Sequence, residues 1–246
     1  MEKHRGFRDM NITVSVLRCE RGSSEQVWQD FLYEFRDETF TVASALTELN
    51  SLEELRDSEG NPARSIEWEC SCLQKKCGAC AMVICGRPRL ACDALLSEYK
   101  DGVVKVEPLR KFPVVCDLVV DRGILYENLK TLKLWLKNDA VLADHYRELA
   151  YESSECIQCG CCLEICPNFY AGGRFFGMAS VPITTRLLSE MSPAEYREIA
   201  SLYSKHSFEG CGKSLACRNV CPKNIDIEKL LVNANAMAIW KRKRKK

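Results

Sequence analysis

The sequence predicts an α+β chain in two parts, a small sheet carrying one helix over residues 1–107 and an all-helical part over residues 108–246. Three observations predict it. Apolar residues alternate with polar ones in the first part, as in half-buried strands. Helical spacing replaces that alternation beyond Pro108. The 16 cysteines gather into one dense group in the first part and two in the second, and 246 residues suffice for two ordinary domains.

Ile12, Val14 and Val16 open the first part as a strand, Arg21-Gly22-Ser23-Ser24-Glu25 supplies a turn, and Phe31, Tyr33 and Phe35 alternate again, so a hairpin is expected. Val42, Ala45, Leu46 and Leu49 share one face of a short helix. Ala81 to Cys85 reads as a short strand closed by a turn at Gly86-Arg87-Pro88, and Val103 to Val106 reads as another. Pro108 and Pro113 interrupt regular pairing, which puts the domain boundary near Glu107 to Pro113. Leu125, Leu129, Leu132 and Leu136 then recur at helical spacing, and no strand is expected beyond them. Ser192-Pro193-Ala194-Glu195 combines an N-cap serine, proline at the first helical position and glutamate three after the cap, so a helix starts there. Asp226 caps a last helix that runs through Trp240.

Composition narrows the function. No charged-then-apolar N-terminal signal is found, so this many cysteines point to a reducing compartment, where they bind metal or do redox chemistry. No apolar run approaches the roughly 20 residues needed to span a bilayer, so any membrane link is expected through a partner. The net charge of +1 is uneven: Lys241 to Lys246 reads KRKRKK, while the rest has 29 basic against 34 acidic residues. Such a tail suits anionic lipid or is a solvated end; nucleic acid is not the expected partner. His4, His145 and His206 are too scattered for a catalytic or metal-binding set, and no Ser/His/Asp arrangement, phosphate loop or dinucleotide fingerprint occurs. The chain is expected to catalyse nothing alone.

The cysteine spacings say more. Cys72, Cys77, Cys80 and Cys92 are separated by four, two and eleven residues, the plant-type 2Fe-2S spacing C-x4-C-x2-C…C. Three thiolates converge from one loop, the fourth arrives from a neighbouring element, and Gly78 lets the backbone pass close to the sulfides. Counting from Cys70 gives a six-residue gap that does not fit, so Cys70 is a neighbour and not a ligand.

Cys156, Cys159, Cys162 and Cys166-Pro167 form the bacterial run C-x2-C-x2-C-x3-C-P, whose fourth cysteine serves the other cluster of a pair. Cys211, Ser214, Cys217 and Cys221-Pro222 repeat the period with serine at the second place. Exchange of fourth ligands gives Cys156, Cys159, Cys162 and Cys221 to a 4Fe-4S cluster. Cys166, Cys211 and Cys217 fall to a 3Fe-4S cluster, with Ser214 at its vacant corner. Cys19, Cys70, Cys85, Cys116 and Cys161 are left over and read as small packing residues, with Cys161 beside a cluster as a tuner of its potential. Structural zinc also uses paired C-x2-C motifs, but it explains neither the plant-type loop nor the interlocked duplicate run.

In its order of motifs, and in the segments Cys77-Gly78-Ala79-Cys80, Pro88-Arg89-Leu90-Ala91-Cys92, Glu107 to Val115 (EPLRKFPVV) and Asp117 to Asp121 (DLVVD), the chain resembles the iron-sulfur subunits of succinate dehydrogenase and fumarate reductase. The resemblance implies a plant-type ferredoxin (β-grasp) domain followed by a helical bacterial-ferredoxin-like domain. It implies an electron wire between a flavoprotein subunit carrying covalent FAD, which interconverts succinate and fumarate, and quinone at a cytochrome b-type membrane anchor. The location implied is cytoplasmic, peripheral on the inner face of the cell membrane. Members with a quinone pocket beside the 3Fe-4S cluster have a Trp pair after the first Cys-Pro and a His after the first cysteine of the second run. Here Asn168-Phe169-Tyr170-Ala171 and Gly212 occupy those places. In that respect the sequence resembles the branch with a haem-containing single-chain anchor, or a soluble quinone-independent relative of thiol-linked or heterodisulfide type.

Overall fold

The structure, a computed structural model, describes residues 10–141, 143–191 and 197–240. The helix start expected at Ser192 to Glu195, His4 and the KRKRKK tail lie outside the described residues. The described chain divides into two compact units. One runs to Arg110 and takes in Val114–Val120; the other comprises Lys111–Pro113 and the chain from Asp121 onward.

In the first unit, β1 (Met10–Cys19) and β2 (Gln26–Phe35) form the hairpin, with Val14 opposite Phe31. Every second residue faces inward, and Val14, Val16 and Phe31 are fully buried. β3 (Ala81–Ile84), β4 (Arg87–Leu90) and β5 (Val103–Glu107) complete a sheet of order β2-β1-β5-β3-β4, in which only β1 and β5 run parallel. Helix α1 (Val42–Ser51) begins with Thr41 and Ser44 capping each other and buries Val42, Ala45, Leu46 and Leu49, the face expected from their spacing. The turn after β3 is tighter than the sequence suggested. Cys85 and Gly86, at φ +46° and +78°, make it alone, and Arg87-Pro88 already belongs to β4. Proline is tolerated there because β4 is the sheet edge and needs no second ladder of hydrogen bonds.

A second correction concerns the segment after Pro108, expected to be helical. β6 (Val114–Cys116) and β7 (Val119–Val120) form a small antiparallel pair that belongs to the first unit. The cause is Asp117, which has no exposed surface. Its Oδ1 accepts from Arg18 Nε at 3.2 Å, Arg64 Nη2 at 2.6 Å and the Cys19 amide at 3.0 Å. Its Oδ2 accepts from Arg64 Nη1 at 2.8 Å and the Glu67 amide at 2.9 Å. Arg18 also donates to the carbonyls of Arg64 and Ser65, at 3.1 and 2.9 Å. One carboxylate thus ties β1, the 64–67 segment and the β6–β7 turn together.

The second unit is helical around one apolar core. α3 (Arg147–Ser154), α5 (Ser180–Glu190), α6 (Arg197–Tyr203) and α7 (Ile227–Asn235) contribute Leu149, Val181, Leu188, Tyr203 and Leu230 to it. Asp226 caps α7 by accepting from the Lys229 amide at 3.0 Å, as expected, and the helix continues as a π turn through Trp240. α2 (Gly123–Thr131) is shorter than the leucine period implied. Lys133 adopts φ +55° just past its end, a left-handed stop, so Leu132 stays buried while Leu136 is exposed. The short helix α4 (Cys161–Glu164) lies within the first cysteine run. Among the described residues no helix is long and apolar enough to cross a membrane.

Removing the carboxylate of Asp117 strands a buried Arg18, so Asp117→Ala is expected to cost about 3–5 kcal/mol of stability, read by urea unfolding of the full chain. Arg64→Ala costs less, because Arg64 is 41% exposed.

Candidate metal centres

The loop from Cys72 to Cys80 is shaped by backbone rotation. Leu73 and Lys75 sit at φ +51° and +59°, and Gly78 at +78°. These turns aim amides at sulfur. Cys72 Sγ accepts from the amides of Gln74 and Lys76, each at 3.3 Å; Cys92 Sγ accepts from the Lys75 amide at 3.4 Å; Cys77 Sγ accepts from the Ala79 amide at 3.5 Å. The distant Cys92 arrives because the β3–β4 hairpin pairs Ala81 with Leu90, and the Ala91 amide donates to the Cys80 carbonyl at 3.0 Å. The sulfurs of Cys80 and Cys92 come within 3.4 Å. Lys75 Nζ and Asp93 at 2.7 Å close the loop over them. Cys77 is exposed and Cys80 buried, so this group lies just under the surface. Cys70 and Cys85 are exposed and so are not the packing residues expected, whereas Cys19 and Cys116 are buried elsewhere in the unit.

The second unit shows the duplication in its backbone. Cys159 lies between Gln158 at φ +51° and Gly160 at +89°; Ser214 lies between Lys213 and Leu215, both at +55°. The serine therefore stands at the structural counterpart of Cys159. Two cavities open beside these loops. One is lined by Cys156, Cys159, Cys162 and Cys221. The other is lined by Cys166, Cys211, Cys217 and Ser214. Each takes cysteines from both runs, and Met178 lines both. Cys156, Cys162, Cys217 and Cys221 pack directly on the helical core.

Electrostatics differ between thiols that meet amides and thiols that meet apolar walls. Backbone donation from Gln74 and Lys76 brings Cys72 down to about 7. Cys159 falls to about 7 through a hydrogen bond with the Cys161 thiol. Burial pushes Cys80 up to about 12, Cys156 and Cys217 up to about 11, and Cys162 well above the ordinary thiol range. Such thiols give up their protons to a metal and otherwise keep them. Thiols ranged around open space, with amides pointing at sulfur, fit a polynuclear iron-sulfur group.

Sequence spacing named the cysteines but not their donors. Gln158 went unnoticed; its Nε2 donates to Cys156 Sγ at 3.1 Å and to the Ala179 carbonyl at 2.9 Å. Lys111 was also missed: its Nζ donates to the Cys166 carbonyl, and its amide donates to Glu164 Oε2 at 3.0 Å. Nothing in the C-x-x-C period marks either residue.

A ferredoxin-type sheet with a thiol loop, joined to a helical unit with two thiol-lined cavities, defines an electron-carrying iron-sulfur protein. Residues 13–127 match the model of a 2Fe-2S iron-sulfur cluster binding domain, and residues 152–225 that of a 4Fe-4S dicluster domain. The chain is 32% identical over 228 residues to the succinate dehydrogenase iron-sulfur subunit of Bacillus subtilis (strain 168), covering 88% of each. It is 27% identical over 231 residues to the fumarate reductase iron-sulfur subunit of Wolinella succinogenes, covering 88% of this chain and 92% of that one. In fold it is similar to a chain of the Mycobacterium smegmatis Sdh1 complex in the apo form, with TM-score 0.77, 23% identity, and 96% and 98% of the two chains covered. The chain belongs to the family of iron-sulfur subunits of succinate dehydrogenase and fumarate reductase. It is an electron-transfer subunit and not a catalyst on its own.

Metal uptake by the metal-free chain must displace protons that burial holds on Cys80, Cys156 and Cys217. Co²⁺ uptake, followed by sulfur-to-cobalt absorbance, is expected to tighten about tenfold or more per pH unit between roughly 7 and 9. For the metal-free fold the sign is opposite. Stability from the neutral thiols is complete below their ordinary 9.0 and is lost as pH rises through about 11.

Proposed function

We propose that this chain relays single electrons between a flavoprotein subunit and a membrane-anchor side. Cys72, Cys77, Cys80 and Cys92 hold a 2Fe-2S cluster; Cys156, Cys159, Cys162 and Cys221 hold a 4Fe-4S cluster; Cys166, Cys211 and Cys217 hold a 3Fe-4S cluster, with Ser214 at its vacant corner. The observation that carries the reading is the exchange of cysteines between the two runs, one cavity taking Cys221 and the other Cys166. Bound clusters carry one electron each, which divides the two-electron chemistry of a flavin into single transfers. Met178, common to both cavity walls, keeps the two centres of the second unit adjacent.

The chain's own residues set charge and access. Inward amides in the 72–80 loop favour thiolates at a position open to solvent, which suits the flavin side. On the anchor side, Phe169 is buried against Phe112 at 5.9 Å between ring centres, Tyr170 is 65% exposed, and Gly212 packs against Asn168. The positions after Cys166-Pro167 and after Cys211 hold Asn168-Phe169-Tyr170-Ala171 and Gly212 where quinone-binding members have a Trp pair and a His, which favours an anchor that binds quinone by itself, such as a haem-containing single-chain cytochrome b. The complex then sits at the inner face of the cell membrane through its partners. The same missing side chains favour, as a second reading, a soluble quinone-independent machine of thiol-linked or heterodisulfide type.

Anaerobic purification with partners, followed by EPR during titration with succinate, fumarate and a low-potential quinol, tests the proposal. Reduction of all three centres by succinate or quinol is expected; turnover with thiol donors but not quinols selects the second reading, and a complex inert to succinate and fumarate overturns both. Ser214→Cys is expected to convert the three-iron centre to a four-iron one, and an unchanged oxidised 3Fe-4S signal contradicts the vacant corner. Cys70→Ala keeps the 2Fe-2S signal and Cys72→Ala abolishes it; the reverse outcome moves the register.

A further inference from the structure

The ammonium of Lys111 lies on the carbonyl of Cys166, and its backbone amide is anchored on Glu164 Oε2 at 3.0 Å. These two contacts belong to one unit, in which Lys111–Pro113 is grouped with the helical part. Phe112, the next residue, is 3% exposed and packs against Phe169 with the rings tilted by 42°, which holds the backbone beside Lys111 in place. A cation is thereby fixed at the main chain of a cysteine that lines the cavity shared by Cys211, Cys217 and Ser214.

We propose that Lys111 is a positioning residue that raises the reduction potential of the centre held by Cys166, Cys211 and Cys217; this rests on the ligand assignment proposed above. Reduction adds one negative charge to a cluster. A fixed positive charge nearby stabilises the reduced form more than the oxidised one, and the partly buried site weakens solvent screening. The amide hydrogen bond leaves the Glu164 carboxylate in place in every Lys111 variant, so substitutions at Lys111 read the contribution of the ammonium on the Cys166 carbonyl alone. The contact the lysine makes is with the carbonyl of Cys166 and not with its sulfur. It acts through the main chain of Cys166.

The test is an EPR-monitored redox titration of the purified complex, with iron content measured in parallel. Lys111→Met is expected to make reduction of the three-iron centre about tenfold less favourable, a fall of about 59 mV for a one-electron couple. Lys111→Arg is expected to keep the parent potential. Lys111→Gln, which retains a donor but not the charge, is expected to follow Lys111→Met. An unmoved potential in an iron-replete neutral variant overturns the proposal. So does an equal fall in Lys111→Arg, which assigns the effect to packing, and so does loss of the centre in both neutral variants, which assigns Lys111 to the scaffold. Absence of a three-iron signal in the parent complex, by contrast, overturns the ligand assignment itself.

Discussion

Left-handed backbone beside cysteine is the constraint on which both units depend. Leu73, Lys75, Gln158, Lys213 and Leu215 all adopt positive φ without being glycine. Each such residue costs on the order of 1–2 kcal/mol. Five of them amount to a large share of a typical domain stability of about 5–15 kcal/mol. The distortion turns amides that would have faced neighbouring carbonyls toward sulfur. Glycine takes the same left-handed conformation at Gly78 and Gly160. The sheet on one side and the helical core on the other hold these loops in place, which is why the thiols pack against apolar residues that do no chemistry.

Each unit sets lowered thiols beside raised ones. In the first, amides bring Cys72 down to about 7 while burial holds Cys80 near 12. In the second, the Cys161 thiol brings Cys159 down to about 7 while burial holds Cys156 and Cys217 near 11.

Much of this was legible in the sequence, because spacing along a chain is what a cluster reads. The period-two residues of β1 and β2, the α1 face and the Asp226 cap appear where the pattern put them. Lys213 and Leu215 repeat the left-handed backbone of Gln158 and Gly160 at the places the duplicate run puts them. Hidden features were those decided by tertiary contact. β6 and β7 are three and two residues long, too short to show alternation, and exist because Asp117 finds two arginines from distant segments. β4 was masked by Pro88, whose meaning depends on lying at a sheet edge. The leucine period ran past the end of α2 because nothing in it announces that Lys133 turns left-handed.

The Asp117 tie gives the chain an order in time. Synthesis proceeds from the N-terminus, and domains tend to fold as units while it does. Here the first unit cannot finish when its last main-sheet strand, β5, has been made. Arg18 waits, uncompensated, until residue 117 emerges, by which point the start of the second unit has already been translated at Lys111–Pro113. The two units are therefore interleaved along the sequence, and a cut at residue 107 would part Asp117 from Arg18 and Arg64.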